Sequence, residues 1–361
     1  MNQVFNFNAG PAGLPSEVML EVQEEILDLQ GTGLSILEIS HRSKEYEAIN
    51  DESQQLLKQL LQISSEYEVL FLQGGASTQF AMVPMNFLTA GRVGSYVHSG
   101  TWSGKAIAEA LKIGETAIAA SSEEDQFKKM PDLQHMKLHP KTAYVHLTTN
   151  ETIAGTQFQS FTNTGEIPLI ADMSSDILSR SFDASNFSLI YAGAQKNLGA
   201  SGVVIVIVKR DMLNRVSAHI PDIMNYRVHA NSGSLYNTPP VFGVYLVNLM
   251  LKWIRNNGGV KAIERRNQLK ADLLYSTIDE SGGFYMGLAD PQSRSTMNVT
   301  FGISSDDLEK KFLQEAAQHG FVGLKGHRDA GHLRASIYNA VTFEQCKALT
   351  DFMADFQKRF G

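Results

Sequence analysis

The stretch Val69-Leu70-Phe71-Leu72-Gln73-Gly74-Gly75-Ala76-Ser77-Thr78 reads as a short apolar strand, a paired-glycine turn and then an apolar segment that begins near Gln79. An unbroken β-prone run has no polar face to offer water, so such a strand is covered on both sides. Strand, turn and helix in succession form the repeating unit of an α/β fold. Working outward, residues 93–98, 116–120, 143–148, 167–172, 189–192 and 203–208 are further strand candidates. Helical spacing lies around and between them: Val18, Val22, Ile26 and Leu29 share one face, Tyr46, Ile49, Leu56, Leu57, Leu60 and Leu61 suit a second helix, and residues 105–113 suit a third. The pattern predicts a large α/β unit over residues 16–260, with a mainly parallel sheet flanked by helices. Sheets of this kind take ligands beyond the carboxyl ends of their strands.

After residue 260 the grammar changes to a strand at 297–301, a helix at 307–319, strands near 321–324 and 333–337, and a terminal helix at 343–360. This predicts a smaller α+β domain formed by residues 261–361 with residues 1–15. The boundary is expected along a helix between Val244 and Leu274, and a cleft between the units is the natural place for a ligand. The 361 residues, 43% hydrophobic and 19% charged, suffice for such a core and exclude a dominantly disordered chain. Lys+Arg 31 against Asp+Glu 38 gives a net charge of −7, which offers no electrostatic reason to expect nucleic acid or an anionic membrane as partner. One cysteine, Cys346, excludes an intrachain disulfide or a multi-thiolate metal site and suits a reducing compartment, and no signal-like run opens the chain. A cytoplasmic location is the expectation.

Three motifs fail on inspection. Gly100-Thr101-Trp102-Ser103-Gly104-Lys105 has one residue too few between its glycines for a nucleotide phosphate loop, and Ala106 stands where a hydroxyl should meet magnesium. His135 and His139 have metal-pair spacing but lack the intervening glutamate, so surface histidines are the better reading and no metal is expected. Gly31-Thr32-Gly33 follows a helix pattern and lacks the third glycine of a dinucleotide turn.

The chemistry concentrates in Ala192-Gly193-Ala194-Gln195-Lys196-Asn197-Leu198-Gly199. A lysine with small or apolar flanks, just past one buried strand and just before another, is desolvated; its pKa falls, and a neutral amine able to form an imine results. Asp172 ends another candidate strand and emerges on the same sheet edge. A lysine and a carboxylate so placed suit pyridoxal phosphate, the lysine holding its aldehyde and the aspartate keeping its ring nitrogen protonated. Gly74-Gly75-Ala76-Ser77-Thr78 offers amides and hydroxyls at a helix start as a phosphate cradle, although a plain capped turn reads equally well in isolation. Trp102, after the strand at 93–98, is a candidate ring to cover the cofactor.

These residues and others carry a resemblance. Phe7-Asn8-Ala9-Gly10-Pro11-Ala12, Ser40-His41-Arg42-Ser43, Gln73-Gly74-Gly75-Ala76-Ser77, Gly100-Thr101-Trp102-Ser103, Thr148-Thr149-Asn150-Glu151-Thr152, Ala171-Asp172-Met173-Ser174-Ser175, Gly193-Ala194-Gln195-Lys196-Asn197, Tyr236-Asn237-Thr238-Pro239-Pro240 and Gly326-His327-Arg328 to Ala335-Ser336-Ile337-Tyr338-Asn339 occur in this order. Nearly end to end, the chain resembles the phosphoserine aminotransferase family of fold type I pyridoxal phosphate enzymes. The resemblance implies that Lys196 carries the cofactor as a Schiff base and Asp172 meets its pyridine nitrogen. It implies that Trp102 stacks on the ring, Thr152 bonds the phenolic oxygen, and Ala76, Ser77 and Gln195 hold the phosphate. It further implies that Asn237 and Thr238 reach the phosphate of a neighbouring subunit's cofactor, so that the active unit is a homodimer with shared sites. Ser77 departs from relatives that carry an arginine there, replacing an ionic contact by a hydroxyl.

Arginine placement speaks to the substrate. Arg334, Arg42 and the pair His327-Arg328 are candidates to surround a ligand with a carboxylate and a phosphate, since the guanidinium fork makes two parallel hydrogen bonds to either group. By resemblance Arg334 takes the α-carboxylate, while His41, Arg42, His327 and Arg328 take the phosphate of phosphoserine or the distal carboxylate of glutamate. The implied reaction is a ping-pong transamination of L-glutamate with 3-phosphohydroxypyruvate, giving O-phospho-L-serine and 2-oxoglutarate in serine biosynthesis. Some relatives also form 4-phosphohydroxy-L-threonine for pyridoxine biosynthesis. A cysteine desulfurase would need a loop cysteine, whereas Cys346 falls in the expected terminal helix; an alanine-glyoxylate type transaminase would lack the phosphate-directed cluster; and a non-catalytic binding module would need neither Lys196 nor Asp172.

Overall fold

The computed structural model describes residues 4–327 and 331–361. Its centre is a seven-stranded sheet in the order Tyr67–Gln73, Val203–Lys209, Leu189–Gly193, Leu169–Asp172, Thr142–Thr148, Val93–His98 and Thr116–Ser121. Val203–Lys209 runs antiparallel to both neighbours and the other pairs are parallel. Every strand but one therefore points its carboxyl end at the same edge.

Alternation along each strand divides the core. Val69, Phe71, Val145, Leu147, Ile205 and Ile207 face one side, under the helices Ser16–Glu25, Lys44–Leu61 and Val241–Asn256. Leu70, Leu72, Tyr144, Val204, Val206 and Val208 face the other, under Gly75–Phe87 and Thr101–Leu111. Each fully buried aliphatic side chain is worth about 1.5–3 kcal/mol, which is why these runs carry no polar alternation.

The second unit has a three-stranded antiparallel sheet, Tyr285–Gly287, Asn298–Ile303 and Leu333–Ser336, packed with Asp306–Gln318 and Phe343–Phe360. The chain's start joins it: Phe5–Asn6 pairs in parallel with Phe321–Val322, and Phe7 is fully buried in the second core. Cys346 lies buried in the terminal helix. No helix among the described residues is long and apolar enough to cross a membrane.

Several boundaries differ from the sequence reading for local reasons. The strand expected from residue 167 begins at Leu169, because Pro168 has no N–H for the ladder, though its carbonyl still accepts from Val145. The helix expected near Gln79 begins at Gly75, where Gly74 at φ 91° supplies a left-handed N-cap. The single helix expected between Val244 and Leu274 is two, Val241–Asn256 and Gly259–Asp279, broken at Gly258 with φ 93°. The first helix stops at Glu25; Leu29 is still buried, but on a separate turn. The strand expected over 321–324 ends at Val322, before Gly323 at φ 84°.

Candidate active site

Lys196 lies in the reversal between Leu189–Gly193 and the antiparallel strand Val203–Lys209, so the turn projects from the carboxyl edge of the sheet. Ala194 N donates to Val203 O at 2.9 Å and Leu198 N to Ala194 O at 3.0 Å, closing a compact turn. At Gly193 a Cβ would stand 2.6 Å from Gln195 Oε1, so a larger residue would displace the Gln195 side chain. Burial pushes the Lys196 amine below its ordinary range, opposed by the carboxylates of Asp172 and Glu151.

Asp172 ends its strand one neighbour away and is 5% exposed. Ser174 donates to its Oδ1 twice, from the backbone N at 2.9 Å and from Oγ at 2.6 Å. Gly193 N in turn donates to Ser174 Oγ at 3.0 Å, tying the two strand ends together. Burial raises the carboxyl pKa, opposed by these Ser174 bonds and by Lys196. Both groups are thus held toward neutrality; a cation brought beside Asp172 would favour its ionised form.

Both line one cavity of about 570 Å3, together with Ala76, Ser77, Trp102, Thr152, Gln195, His327 and Arg334. The start of helix Gly75–Phe87 has no side-chain cap, so its first amides face this space as donors to an anion. Gly74 could be no other residue, because a Cβ would fall 2.0 Å from Thr78 Oγ1. Trp102 lines the same cavity and holds its ring with the centroid 5.4 Å from Lys196 Nζ. Its Nε1 donates to Thr152 Oγ1 at 2.9 Å, which leaves the threonine hydroxyl proton to be offered elsewhere.

Arg334 reaches the cavity from the second unit, on Leu333–Ser336. It is 8% exposed; Nη1 donates to Thr152 O at 3.0 Å, and Nε is buried without a partner. Among the described residues no carboxylate pairs with it, so a buried cation with spare donors faces the cavity.

Other sequence-predicted residues lie apart within one chain. His41 and Thr238 line a separate concavity of about 470 Å3 with Pro239 and Pro240, and Arg42 is exposed beside them. Asn237 lines a third hollow with Gly74 and Thr78, behind the glycine turn, where Gln73 Nε2 donates to Thr238 O at 2.7 Å. Arg328 lies outside the described residues. Sequence reasoning gave no role to Ala9, Gly10, Thr148, Asn150, Ser174 and Ser175, which also line the main cavity. Ser174, two residues beyond an aspartate, was discoverable as a local side-chain turn; the others arrive through long-range packing.

A fold of this topology, with a lysine and a carboxylate at the carboxyl edge, places the chain in the aminotransferases: residues 4–349 match the family "Aminotransferase class-V", and the chain belongs to it. Within that family its similarity is to phosphoserine aminotransferases. The enzyme of Niallia circulans is 54% identical over 359 residues, covering 99% of each chain. The solved phosphoserine aminotransferase of Bacillus circulans subsp. alkalophilus superposes with a TM-score of 0.98 at 54% identity, covering 99% of each chain. A PLP-bound phosphoserine aminotransferase from Trichomonas vaginalis gives 0.91 at 35%, covering 98% of this chain and 100% of that one. The chain is a member of the phosphoserine aminotransferase family.

Proposed function

We propose that the chain is a pyridoxal phosphate-dependent transaminase that exchanges the amino group of L-glutamate with 3-phosphohydroxypyruvate, yielding 2-oxoglutarate and O-phospho-L-serine. The observation that carries this reading is the meeting of Lys196, Asp172 and an uncapped helix start in one cavity. The donor set fits the cofactor: an amine pushed toward neutrality, a carboxylate with one oxygen already satisfied, free helix amides and an indole face. Bound there, pyridoxal phosphate supplies an aldehyde that condenses with amines and a ring that accepts the electron pair left when an α-proton departs.

The chain's own residues do the rest. With pyridoxal phosphate bound, Lys196 Nζ would hold its aldehyde carbon, and as a free amine it would move the substrate α-proton as a general base and acid. Asp172, whose Oδ1 is taken by Ser174, would keep the cofactor's ring nitrogen protonated. The helix-start residues Ala76 and Ser77, together with Gln195, would hold the phosphate, Trp102 would cover the ring, and Thr152 would offer its hydroxyl to the phenolic oxygen. Arg334 would bind the substrate α-carboxylate with donors that include its buried, unpartnered Nε. His327, which lines the cavity, takes the distal phosphate or carboxylate with His41, Arg42 and Arg328.

The placement of His41, Arg42, Asn237 and Thr238 away from Lys196 favours a homodimer in which a second copy completes each site. Exposed Leu20, Leu27, Leu34 and Leu37, on the segment leading to His41, support a covered face there. In this reading residues 16–260 form the cofactor-holding unit, residues 1–15 and 261–361 form the smaller one, and the enzyme works in the cytoplasm.

Mixing the purified protein with glutamate and 3-phosphohydroxypyruvate should produce 2-oxoglutarate, and borohydride should fix the cofactor on Lys196. Absence of both would remove the assignment. Product formed only when a glyoxylate acceptor replaces the phosphorylated one would point to an alanine-glyoxylate type enzyme.

A further inference from the structure

Glu151 enters none of these steps, yet its carboxylate is fully buried beside them. Oε1 accepts from Ser103 N at 2.9 Å and from Ser99 Oγ at 3.4 Å, and Oε2 accepts from Trp102 N at 3.0 Å. These amides open the helix Thr101–Leu111, whose unpaired donors and positive dipole end favour an anion. The next residue grips the ring of Trp102, through the bond from Trp102 Nε1 to Thr152 Oγ1 at 2.9 Å. Consecutive residues thus fix the backbone and the ring of Trp102. The space is made by Gly100, where a Cβ would stand 2.6 Å from the Glu151 carboxyl carbon. The same short segment also reaches Arg334, which donates to Thr152 O at 3.0 Å.

We propose that Glu151 is a positioning residue that acts through Trp102, its carboxylate fixing the start of helix Thr101–Leu111 so that the indole lies as a wall over the Lys196 amine. The inference rests on the reading of Trp102 as the cofactor's stacking face. Glutamine at this position would present an NH2 to one of two helix amides, leaving a buried N–H without its acceptor. Aspartate would keep both acceptor oxygens on a shorter stem.

Trp102 and Trp253 are the two tryptophans, so in a full-length Trp253→Phe background the emission reports Trp102. In the holoenzyme the Trp102 emission should be quenched by the stacked cofactor. Glu151→Gln should release that quenching, shift the emission to the red and weaken cofactor retention about tenfold, a cap-sized loss. Glu151→Asp should recover most of the parent signal. Because Glu151→Gln can fail to fold, Gly100→Ala is measured alongside; it crowds the same carboxylate from the other side and should reproduce the released emission. Folded Glu151→Gln or Gly100→Ala protein that keeps the parent's emission and cofactor retention would reduce Glu151 to an ordinary helix cap and overturn the proposal. A parent that binds no pyridoxal phosphate would overturn the cofactor reading instead, and a red shift between parent and variant would still uphold the clamp.

Discussion

Lys270 sits within the helix Gly259–Asp279 at 1% exposure, and its ammonium donates to the carbonyls of Ile337, Tyr338 and Val341, each at 2.9 Å. Lys196 is also taken out of bulk water, but it faces a cavity and two carboxylates. Burial pushes both amines down, Lys270 to about 8. What separates them is satisfaction. Three carbonyls consume every proton of Lys270 and make it a staple for the segment after the Arg334 strand, while Lys196 opens on a cavity lined by polar groups. A depressed lysine pKa is therefore not a signature of catalysis by itself; the free volume in front of the amine decides.

The comparison can be broken from either side. Replacing Lys196 by Ala should slow the glutamate half-reaction by at least about 10⁴-fold and abolish the cofactor's visible absorbance, with the thermal midpoint unchanged or raised. A large drop in midpoint would make Lys196 the staple and end the contrast. Asp172→Asn keeps an oxygen for the Ser174 bonds but loses the charge; the same half-reaction, followed by stopped flow, should slow about 100-fold with little change in stability.

On the other side, Lys270→Met orphans three buried carbonyls. The expected loss is about 2 kcal/mol by urea unfolding, because removing the costly buried ammonium offsets part of the penalty. The cofactor's absorbance should stay. The last effect, of similar size, concerns pH. With a folded pKa of about 8, Lys270 binds fewer protons in the native chain than in the unfolded one, where about 10.4 is ordinary. Between those values stability rises with pH, so the gap between the parent and Lys270→Met should widen from pH 8 toward 10. A gap that stays flat over that range would show that the three carbonyls hold the ammonium at its ordinary pKa.

Legibility followed locality. The strands Val93–His98 and Val203–Lys209 and the terminal helix Phe343–Phe360 were readable because an apolar run or a 3.6-residue period is written in consecutive residues. Lys196 and Asp172 were readable because each follows such a run, and a parallel sheet brings strand ends together. The hairpin Asn150–Glu151 with Thr156–Gln157 was not, since its two-residue strands carry no period. Nothing near Glu151 in the chain marks its partners, which are helix amides some fifty positions earlier.

The order of residues alone determined a mainly parallel sheet and an amine and an acid at its carboxyl edge, because these follow from short-range pattern and strand direction. Tertiary structure decided which buried lysine is inert and which faces a cavity, how Trp102 is gripped at both ends, and that His41, Arg42, Asn237 and Thr238 stand away from Lys196 in a single chain. Those outcomes depend on contacts between distant segments, whose geometry no local spacing encodes.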